Sequence, residues 1–388
     1  MQIYLDYSAT TPPRPEVIAE VQRVMQEQWG NPSSLHQWGN RAATMLEQAR
    51  SQVAELINAP PETLIFTAGG TEADNLALFG VTKHYRLPQH LIISAVEHAA
   101  ISGPTQQLEQ AGWQVTRLPV DSHGRVSPPT LRQALRDNTV LVSIIYGQSE
   151  VGTLQDIARL GQIVRDHGAL FHTDAVQVAG RLPLDMQTLP VDLLSLSSHK
   201  IYGPQGAGAL YRRPGVDLVP LIWGGGQEAG QRSGTPALPA IVGFGLAARL
   251  ARLDMPAETL RLIALRDRLF TQLQSLPYLE PTGDPQHRLP HHASFCFTAG
   301  DGKQVNGRTL VRQMNLAGIG ISAGTACHSG TLNPSGVLKA MGYSDGAARC
   351  GIRFSLGRQT TMADIDWTAM VLQQVISRYL ESRSLSKV

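Results

Sequence analysis

The chain contains few cysteines, only three in 388 residues, at Cys296, Cys327 and Cys350. An odd number of cysteines cannot all pair, and none of the three stands in the CxxC spacing of zinc and redox sites. A disulfide scaffold is therefore excluded.

Clusters of positive charge and long apolar runs are also missing. The net charge is +2 and the basic residues are scattered, which argues against a nucleic-acid partner or a role at a membrane surface. No run reaches the ~18 apolar residues that a membrane span needs, and the first residues lack the basic and apolar segments of a secretory signal. With 42% hydrophobic and 16% charged residues, we expect a globular protein of the cytoplasm with small-molecule partners.

Lysine is scarce as well, with five lysines among 33 basic residues. Only Lys200 follows an apolar run (191–196) and precedes a glycine-rich turn (203–208), so it stands where a buried strand opens into a loop. Burial lowers the pKa of an ammonium group, which is how enzymes obtain a lysine that forms an imine or acts as a base. By itself, a lysine at a strand end is more often ion-paired or snorkelling. The residues at the other strand ends are therefore needed to distinguish a catalytic lysine from an ordinary one.

Predicted strands alternate with amphipathic helices from residue 64 onwards. The strands cover 64–67, 91–96, 115–120, 140–146 and 169–176. This rhythm, with several continuously apolar strands, predicts an α/β fold with a mostly parallel central sheet flanked by helices.

The pattern changes near residue 260. A predicted helix at 238–253 is followed by another helix at 259–276 and a strand at 293–298. We therefore predict a large domain at 14–258. A smaller α+β domain would consist of residues 1–13 and 259–388.

Ligands of open α/β sheets bind outside the carboxyl ends of the strands, and the residues at those ends are unusual here. Gly70 and Thr71 follow the first strand and open a helix, which offers backbone amides to a phosphate. Asp174 and Gln177 end another strand, and an aspartate there can keep a heteroaromatic nitrogen protonated. His98 follows a third strand and could stack on a flat ring or shuttle a proton.

Each of these residues also has an ordinary explanation. Thr71 and Asp174 could simply cap helices, and His98 could be a surface histidine. Together with Lys200, however, they place four complementary groups at successive strand ends. These are a site for a phosphate, an acid for a ring nitrogen, a ring that can stack and a lysine that can form an imine. The joint pattern predicts a pyridoxal 5'-phosphate enzyme in which Lys200 holds the cofactor and Asp174 keeps its ring an electron sink.

Cys327 lies in a run of small and polar residues, which predicts a mobile cysteine loop at about 322–336. An exposed loop cysteine is typical of a nucleophile, and a plain surface thiol is the alternative. Cys296 lies in a predicted strand and is most simply a core residue, whereas Cys350 gives no clear signal. Arg353, on an apolar strand, offers a fork for a substrate carboxylate, unless it forms a buried salt bridge.

Ordered motifs along nearly the whole chain resemble those of a known family. They stand at residues 5–11 (LDYSATT), 30–34 (GNPSS), 71–75 (TEADN), 97–98 (EH), 174–177 (DAVQ), 198–204 (SHKIYGP), 232–235 (RSGT) and 353–358 (RFSLGR). In these motifs the sequence resembles the cysteine desulfurases of the class V aminotransferase superfamily, pyridoxal phosphate fold-type I. It looks most similar to the subgroup that serves iron-sulfur cluster assembly and carries a long cysteine loop.

The resemblance implies roles for individual residues. At the cofactor phosphate it places Gly70, Thr71, Ser197 and His199, with Thr235 reaching the phosphate of the other subunit of a homodimer. Around the ring it places His98 in the stacking position, Asp174 at the ring nitrogen, Gln177 at the ring hydroxyl and Lys200 as the covalent partner. At the substrate it places Arg353, Asn31 and His36. The catalytic residues would be Lys200, His98 and Cys327, which would receive the sulfur.

One motif departs from the family pattern. The family usually carries Asn-Asn-Glu before a glycine, and the second asparagine bonds the ring hydroxyl, whereas this chain has Gln148, Ser149 and Glu150. We keep Ser149 as a predicted cofactor residue. The alternatives are that Gln148 or a water molecule takes over the contact, or that Gln177 alone tunes the cofactor.

The resemblance implies a cysteine desulfurase without a metal, which converts L-cysteine to L-alanine and leaves the sulfur as a persulfide on Cys327. A sulfur-acceptor or iron-sulfur scaffold protein would then take the sulfur, for iron-sulfur clusters and other thio-cofactors. Alternatives on the same fold are a cystine or selenocysteine lyase and an aminotransferase. Alternatives from other classes are a non-catalytic assembly scaffold and a nucleotide-binding module, which is disfavoured because no GxGxxG or Walker A run occurs.

Overall fold

The computed structural model describes residues 2–276, 278–298, 305–324 and 333–385. Its strands are β1 (Ile3–Tyr4), β2 (Leu64–Thr67), β3 (His90–Ser94), β4 (Gln114–Leu118), β5 (Thr139–Ser143), β6 (Leu170–Asp174), β7 (Leu193–Ser197), β8 (Gly208–Arg212), β9 (Leu279–Pro281), β10 (His292–Phe297), β11 (Ile319–Gly320), β12 (Ser322–Ala323) and β13 (Gly351–Ser355). Its helices are α1 (Pro15–Glu27), α2 (Gln37–Leu56), α3 (Gly70–Thr82), α4 (Ala99–Gln110), α5 (Pro128–Ala134), α6 (Ile157–His167), α7 (Leu238–Leu273), α8 (Gly307–Leu316), α9 (Gly336–Ala340), α10 (Asp345–Ala348) and α11 (Met362–Leu385). Within these ranges, no helix combines the length and the apolar character that crossing a bilayer requires.

A seven-stranded sheet forms the centre of the larger part of the molecule, in the order β2-β8-β7-β6-β5-β3-β4. The neighbouring pairs from β7 to β4 are all parallel. In this sheet β8 alone runs antiparallel to its neighbours, β2 and β7. The predicted α/β class with a mostly parallel central sheet is therefore confirmed.

Both faces of this sheet are buried, because alternate residues of a strand point to opposite sides. On one side Leu91, Ile93 and Leu193 belong to an apolar cluster with residues of α3 and α4. On the other side Val142 and Leu194 belong to a cluster with residues of α2, α6 and the first part of α7. We refer to these two sides as the α3 face and the α7 face.

A four-stranded antiparallel sheet, in the order β12-β13-β10-β9, forms the smaller part. Its apolar cluster contains Phe295, Phe354 and, from α11, Leu372. The N-terminal segment joins this part, since β1 pairs with β11 and Asp6 forms an isolated bridge with Ser355. The start of the chain thus runs beside the strand that carries Arg353.

Helix α7 connects the two parts and differs from the prediction. Two helices, 238–253 and 259–276, were expected, but the structure has one helix of 36 residues with Pro256 inside it. A proline removes one helical hydrogen bond. The helix continues because its first half packs into the large apolar cluster and later residues such as Leu265 pack into the smaller one. The division into 14–258 and a smaller domain stays a prediction.

Candidate active site

A cavity of about 820 Å³ opens at the carboxyl ends of the central strands, between the seven-stranded sheet and β13. Most of the predicted site residues line it, namely Gly70, Thr71, His98, Ser149, Asp174, Gln177, Ser197, His199, Lys200 and Arg353. The strand ends therefore converge on one space, as their order in the sequence suggested. The role of each residue stays a prediction.

The other predicted residues do not line this cavity within the described part of the chain. Asn31 accepts a backbone hydrogen bond in its own turn at 3.0 Å. His36 caps α2, where its Nδ1 accepts a backbone N–H at 3.2 Å. Thr235 is exposed shortly before α7, and Cys327 lies outside the described residues.

The predicted phosphate site coincides with the N-terminus of α3, where Gly70 and Thr71 begin the helix. The first N–H groups of a helix have no partner in the helix and attract an anion. A Cβ at Gly70 would lie 2.8 Å from Val176 Cγ2, so a glycine lets α3 start this close to the sheet. Burial, together with the charge of Lys200, lowers the pKa of His199 to about 4, so His199 is neutral at pH 7 and offers a hydrogen bond.

Asp174 ends β6 with 6% of its surface exposed. Its Oδ1 accepts a backbone N–H at 2.9 Å. Burial raises the pKa of Asp174, while the neighbouring His98 and Lys200 lower it. His98 caps α4, and its Nδ1 accepts a backbone N–H at 3.2 Å, which leaves Nε2 to carry the proton of a neutral ring. Polar atoms of Asp174, His98 and Asp74 lie within 4.8 Å of one another.

Lys200 stands in the turn that follows β7, and its amine reaches the N-terminal segment. Its Nζ donates to the carbonyl oxygens of Ser8, at 2.5 Å, and Ala9, at 2.7 Å. Gln177 binds one of these carbonyls too, because its Nε2 donates to Ser8 O at 2.9 Å. The Oε1 of Gln177 is buried and has no hydrogen-bond partner among the residues that the structure describes. The main chain of residues 8 and 9 therefore holds the lysine, a contact that the sequence did not reveal.

Arg353 on β13 forms the salt bridge that was one of the two alternatives left open by the sequence. Its Nη2 forms a salt bridge with Asp6 Oδ1 at 2.6 Å, and its Nη1 donates to Ser149 O at 2.9 Å. Its Nε is buried and has no hydrogen-bond partner within the described part of the chain, and the residue lines the cavity. The buried salt bridge is thus present, and carboxylate binding stays a prediction.

The turn at residues 148–150, which departs from the family pattern, also makes contacts through its main chain. Gln148 commits both ends of its amide to the backbone, since Oε1 accepts from Val151 N at 2.9 Å and Nε2 donates to Val96 O at 3.3 Å. Gln148 could replace the usual asparagine only by breaking these bonds. The Ser149 carbonyl accepts from Arg353 and lies 3.1 Å from His292 Nε2.

The chain matches the Aminotransferase class-V family model over residues 3–367. The chain belongs to the class-V aminotransferase family. Among its curated relatives, the cysteine desulfurase IscS of Pseudomonas entomophila is 44% identical over 387 residues, which cover 98% of this chain and 94% of the relative. The cysteine desulfurase IscS of Dictyoglomus turgidum is 42% identical over 381 residues, which cover 97% of this chain and 95% of the relative.

Solved structures agree with this assignment. A NifS-like protein superposes with a TM-score of 0.90 at 33% identity, over 97% of this chain and 100% of that chain. SspA in complex with cysteine superposes with a TM-score of 0.80 at 34% identity, over 92% of this chain and 99% of that chain. The resemblance to cysteine desulfurases and the pyridoxal phosphate fold-type I architecture are therefore confirmed.

In this class-V aminotransferase, three carboxyl groups at the cavity were not among the predicted site residues: Asp74, Glu97 and Glu150. Burial raises the pKa of Glu97 to about 8 and that of Glu150 to about 7. Burial and the charge of Asp174 raise the pKa of Asp74 well above its ordinary value. Asp74 and Glu97 stand inside the family motifs, but a sequence does not show that a carboxyl group is buried.

We expect the free energy of unfolding of the ligand-free protein to fall by about 1 kcal/mol between pH 7 and pH 8 because of Glu97. The unfolded chain loses this proton near pH 4.5, whereas the folded protein keeps it up to about pH 8. The unfolded state therefore binds fewer protons in that window, and stability is lost as the pH rises. Histidines buried in neutral form, such as His90, have the opposite effect only near and below about pH 6.5.

Urea unfolding at the two pH values measures this effect. Glu97→Gln keeps the hydrogen-bond acceptor and removes the titration, so the variant should show a flatter dependence between pH 7 and pH 8. An unchanged slope in the variant would assign the titration to another group.

Proposed function

We propose that this class-V aminotransferase is a pyridoxal 5'-phosphate-dependent cysteine desulfurase, which converts L-cysteine to L-alanine and transfers the sulfur to Cys327. The observation that carries the proposal is the single cavity in which a half-buried amine (Lys200), a buried carboxylate (Asp174) and a guanidinium (Arg353) meet. Relatives named cysteine desulfurase, similar over nearly their full length, support the reaction. A structural neighbour in complex with cysteine supports the substrate.

The residues of the cavity fit pyridoxal phosphate. The N-terminus of α3 offers N–H groups to a phosphate beside the neutral His199. Asp174 presents a buried carboxylate for the ring nitrogen, and the Oε1 of Gln177, which has no partner among the described residues, can accept a hydrogen bond from the ring hydroxyl. Lys200 supplies the amine for covalent attachment. When bound, the cofactor supplies an electron sink that weakens the bonds at the α-carbon of an amino acid.

Arg353 would bind the carboxylate of the substrate, and Lys200 would move the proton. The guanidinium has a buried Nε without a partner, so it retains donor capacity beyond its bonds to Asp6 and Ser149. Lys200 would take the Cα proton at Nζ. The carbonyls of residues 8 and 9 hold this atom at the floor of the cavity, which restricts the positions from which it can act.

Cys327 would accept the sulfur as a thiolate. Its Sγ attacks the sulfur of the substrate, a new sulfur-sulfur bond forms, and the carbon-sulfur bond breaks with its electron pair going to the carbon that leaves in alanine. The other two thiols are unsuited, since burial raises the pKa of Cys296 to about 12 and that of Cys350 to about 11. The persulfide would then pass to a sulfur-acceptor or iron-sulfur scaffold protein of the cytoplasm.

Conversion of L-cysteine in the presence of dithiothreitol tests this function. Sulfide and L-alanine should appear in equal amounts, and Cys327→Ala should lower both by at least about a hundredfold. Cys296→Ala, which removes a buried thiol on β10, should retain the rate of the folded wild-type protein. A keto acid as the product would indicate an aminotransferase. Cleavage of cystine or selenocysteine that does not depend on Cys327 would indicate a lyase, and no turnover would indicate a scaffold or nucleotide-binding module.

We also propose that the chain forms a homodimer. Large apolar side chains are strongly exposed in the segments that carry the predicted cross-subunit residues, with 96% of Leu35, next to His36, and 73% of Trp223 accessible, and burial of apolar surface drives association. In the dimer, Thr235, Asn31 and His36 would reach the cavity of the partner subunit rather than their own. That arrangement would reconcile their predicted roles with their positions outside the cavity of this chain.

Trp223→Glu is expected to shift the mass measured by light scattering from two chains towards one, because a charge at a buried contact is costly. Leu87→Glu is the control, since Leu87 is a similarly exposed apolar residue (72%) that lies just before the amino end of β3, at the opposite end of the parallel strands from the cavity. A wild-type monomer, or dimers of Trp223→Glu as tight as the wild type, would contradict the proposed interface.

A further inference from the structure

A line of buried polar side chains crosses the α3 face of the sheet directly behind Asp174. It consists of Asp74 on α3, Ser195 on β7, His172 on β6 and Ser143 on β5, none more than 1% exposed. The rest of this face is packed with leucine, isoleucine and valine. Polar groups in such surroundings are destabilising unless they are hydrogen-bonded, and the proposed reaction uses none of these four.

The strand register explains how the line leads to the cavity. Ser143 pairs with His172 across β5 and β6, and Asp174 pairs with Ser195 across β6 and β7. Because side chains alternate along a strand, His172 and Asp174, two residues apart, point to the same face. The line therefore runs from the interior of the sheet to the carboxylate that we place at the ring nitrogen.

Hydrogen bonds join His172 to the serines on both neighbouring strands, and Asp74 lies beside this group. His172 Nδ1 lies 2.8 Å from Ser143 Oγ, and His172 Nε2 lies 3.0 Å from Ser195 Oγ. The Oδ1 of Asp74 lies 3.6 Å from the same Nε2 of His172. Among the described residues this Oδ1 has no hydrogen-bond partner, and polar atoms of Asp74 and Asp174 lie within 4.8 Å of each other.

The charge of Asp174 favours one direction for the protons of this line. Burial lowers the pKa of His172 to about 3, so its ring is neutral, with one nitrogen donating and the other accepting. Because the carboxyl oxygen Oδ1 of Asp74 lies 3.6 Å from Nε2, we place the ring proton on Nε2, so that Ser195 Oγ accepts from Nε2 and Nδ1 accepts from Ser143. The donors of Ser143 and His172 then point along the line toward Asp174, and dipoles aligned in this way polarise one another.

Four titratable groups face Asp174. They are Asp74 from α3, Glu97 and His98 from the residues that follow β3, and Lys200 from the turn after β7. Lys200 and His98 stabilise a negative charge on Asp174. Burial raises the pKa of Glu97 to about 8, and burial together with the charge of Asp174 raises the pKa of Asp74 well above its ordinary value, which favours a negative charge on Asp174 over one on these two groups.

We infer that Asp74 and His172 are positioning residues that act through Asp174: the line they form directs its dipoles at the Asp174 carboxylate and holds it ionised against the ring nitrogen of the cofactor. This inference rests on the proposed pyridoxal phosphate site. Dipoles that are already oriented stabilise a charge without reorganising when the ligand arrives. The line would therefore serve the cofactor rather than the stability of the fold.

The test compares two cofactors on the full chain after its own cofactor has been removed with hydroxylamine. One is pyridoxal phosphate, and the other is 1-deazapyridoxal phosphate, in which a C–H group replaces the ring nitrogen and cannot pair with Asp174. We expect His172→Leu and Asp74→Ala to raise the Kd of pyridoxal phosphate about tenfold and to change the Kd of the analogue less than about twofold. His172→Gln can keep the hydrogen bond to Ser195 and Asp74→Asn keeps a polar side chain of the same shape, so both should recover most of the loss.

His90 provides a matched control, because it is a second fully buried histidine of the same sheet, at the amino end of β3. Its two ring nitrogens each lie 2.8 Å from a threonine hydroxyl. His90→Leu should leave both Kd values unchanged even where it lowers the melting temperature as much as His172→Leu does.

A higher Kd for pyridoxal phosphate, with the Kd of the analogue nearly unchanged, would support the inference. An equal rise in the Kd of both cofactors, or no recovery of pyridoxal phosphate affinity in His172→Gln and Asp74→Asn, would overturn the inference. The four polar side chains would then have only a structural role. If His172→Leu does not fold, the pair Asp74→Ala and Asp74→Asn gives the same comparison. A wild-type protein that binds neither cofactor would instead overturn the proposed function.

Discussion

Replacing Lys200 with alanine is expected to abolish the turnover of L-cysteine, with a loss on the order of a thousandfold or more. Lys200 is the only lysine among the described residues that line the cavity, and two main-chain carbonyls hold its Nζ in place. No other amine in that lining can attach the cofactor or take the Cα proton. Borohydride reduction followed by peptide mapping should therefore find pyridoxal phosphate fixed to Lys200 in the wild type and to no residue in the variant.

Lys83→Ala is the control for this experiment. Lys83 is an exposed lysine at the C-terminal end of α3, the helix whose N-terminus we place at the phosphate. Its removal should change neither the turnover nor the label. Alanine formation by Lys200→Ala at more than about a tenth of the wild-type rate would contradict the assignment, as would a label on another lysine.

Replacing Asp174 with asparagine is expected to lower the rate of alanine formation by on the order of a hundredfold. Asparagine retains an acceptor for the backbone N–H that binds Oδ1 at 2.9 Å, so the local fold should persist. It lacks the negative charge that would keep the ring nitrogen protonated, so the cofactor would withdraw electrons less strongly. Steady-state kcat, measured on protein saturated with pyridoxal phosphate, separates this loss from weaker cofactor binding.

Asp192→Asn is the control, because it makes the same chemical change just before β7, at the opposite end of the strands from the cavity. Asp192 is 5% exposed, accepts a backbone N–H of β6 at 2.7 Å and pairs with Arg213. This variant should lose stability, because it breaks a partly buried ion pair, and keep its kcat per folded molecule. If Asp174→Asn retained kcat within about tenfold of the wild type, the carboxylate would not act on the ring.

The strands of the large sheet and their common edge could be predicted from the sequence. Apolar runs bounded by glycines and polar residues indicate strands wherever a sheet is buried on both faces, and β2 covers the residues predicted for it. The rule that ligands bind at the carboxyl ends of parallel strands then brought Asp174 and Lys200 to one place.

The sequence did not reveal the helices that contain glycine or proline in their interior. Helix α4 includes Gly103 and Pro104, and these residues lower the local propensity for a helix. It forms because His98 caps its first turn and because Ile101 and Leu108 pack into the apolar cluster of the α3 face. Tertiary packing likewise carries α7 through its proline.

Contacts between segments that are far apart in the chain also could not be predicted from the sequence. The carbonyl of Ala9 that binds Lys200 stands 191 residues away in the chain. The raised pKa values of Glu97 and Glu150 depend on burial that only the folded chain provides. Asp74 and His172 carry polar side chains, but only the register of β5, β6 and β7 aligns them behind Asp174.

Mass spectrometry of the protein after brief exposure to L-cysteine tests the central claim most directly. With no thiol reductant added besides the substrate and the reaction quenched by alkylation, the peptide that contains Cys327 should carry one additional sulfur atom, in step with the L-alanine released. The peptides of Cys296 and Cys350 should remain unmodified, since both thiols are buried. Alanine formation with the extra sulfur on another residue, or on none, would contradict a cysteine desulfurase that works through Cys327.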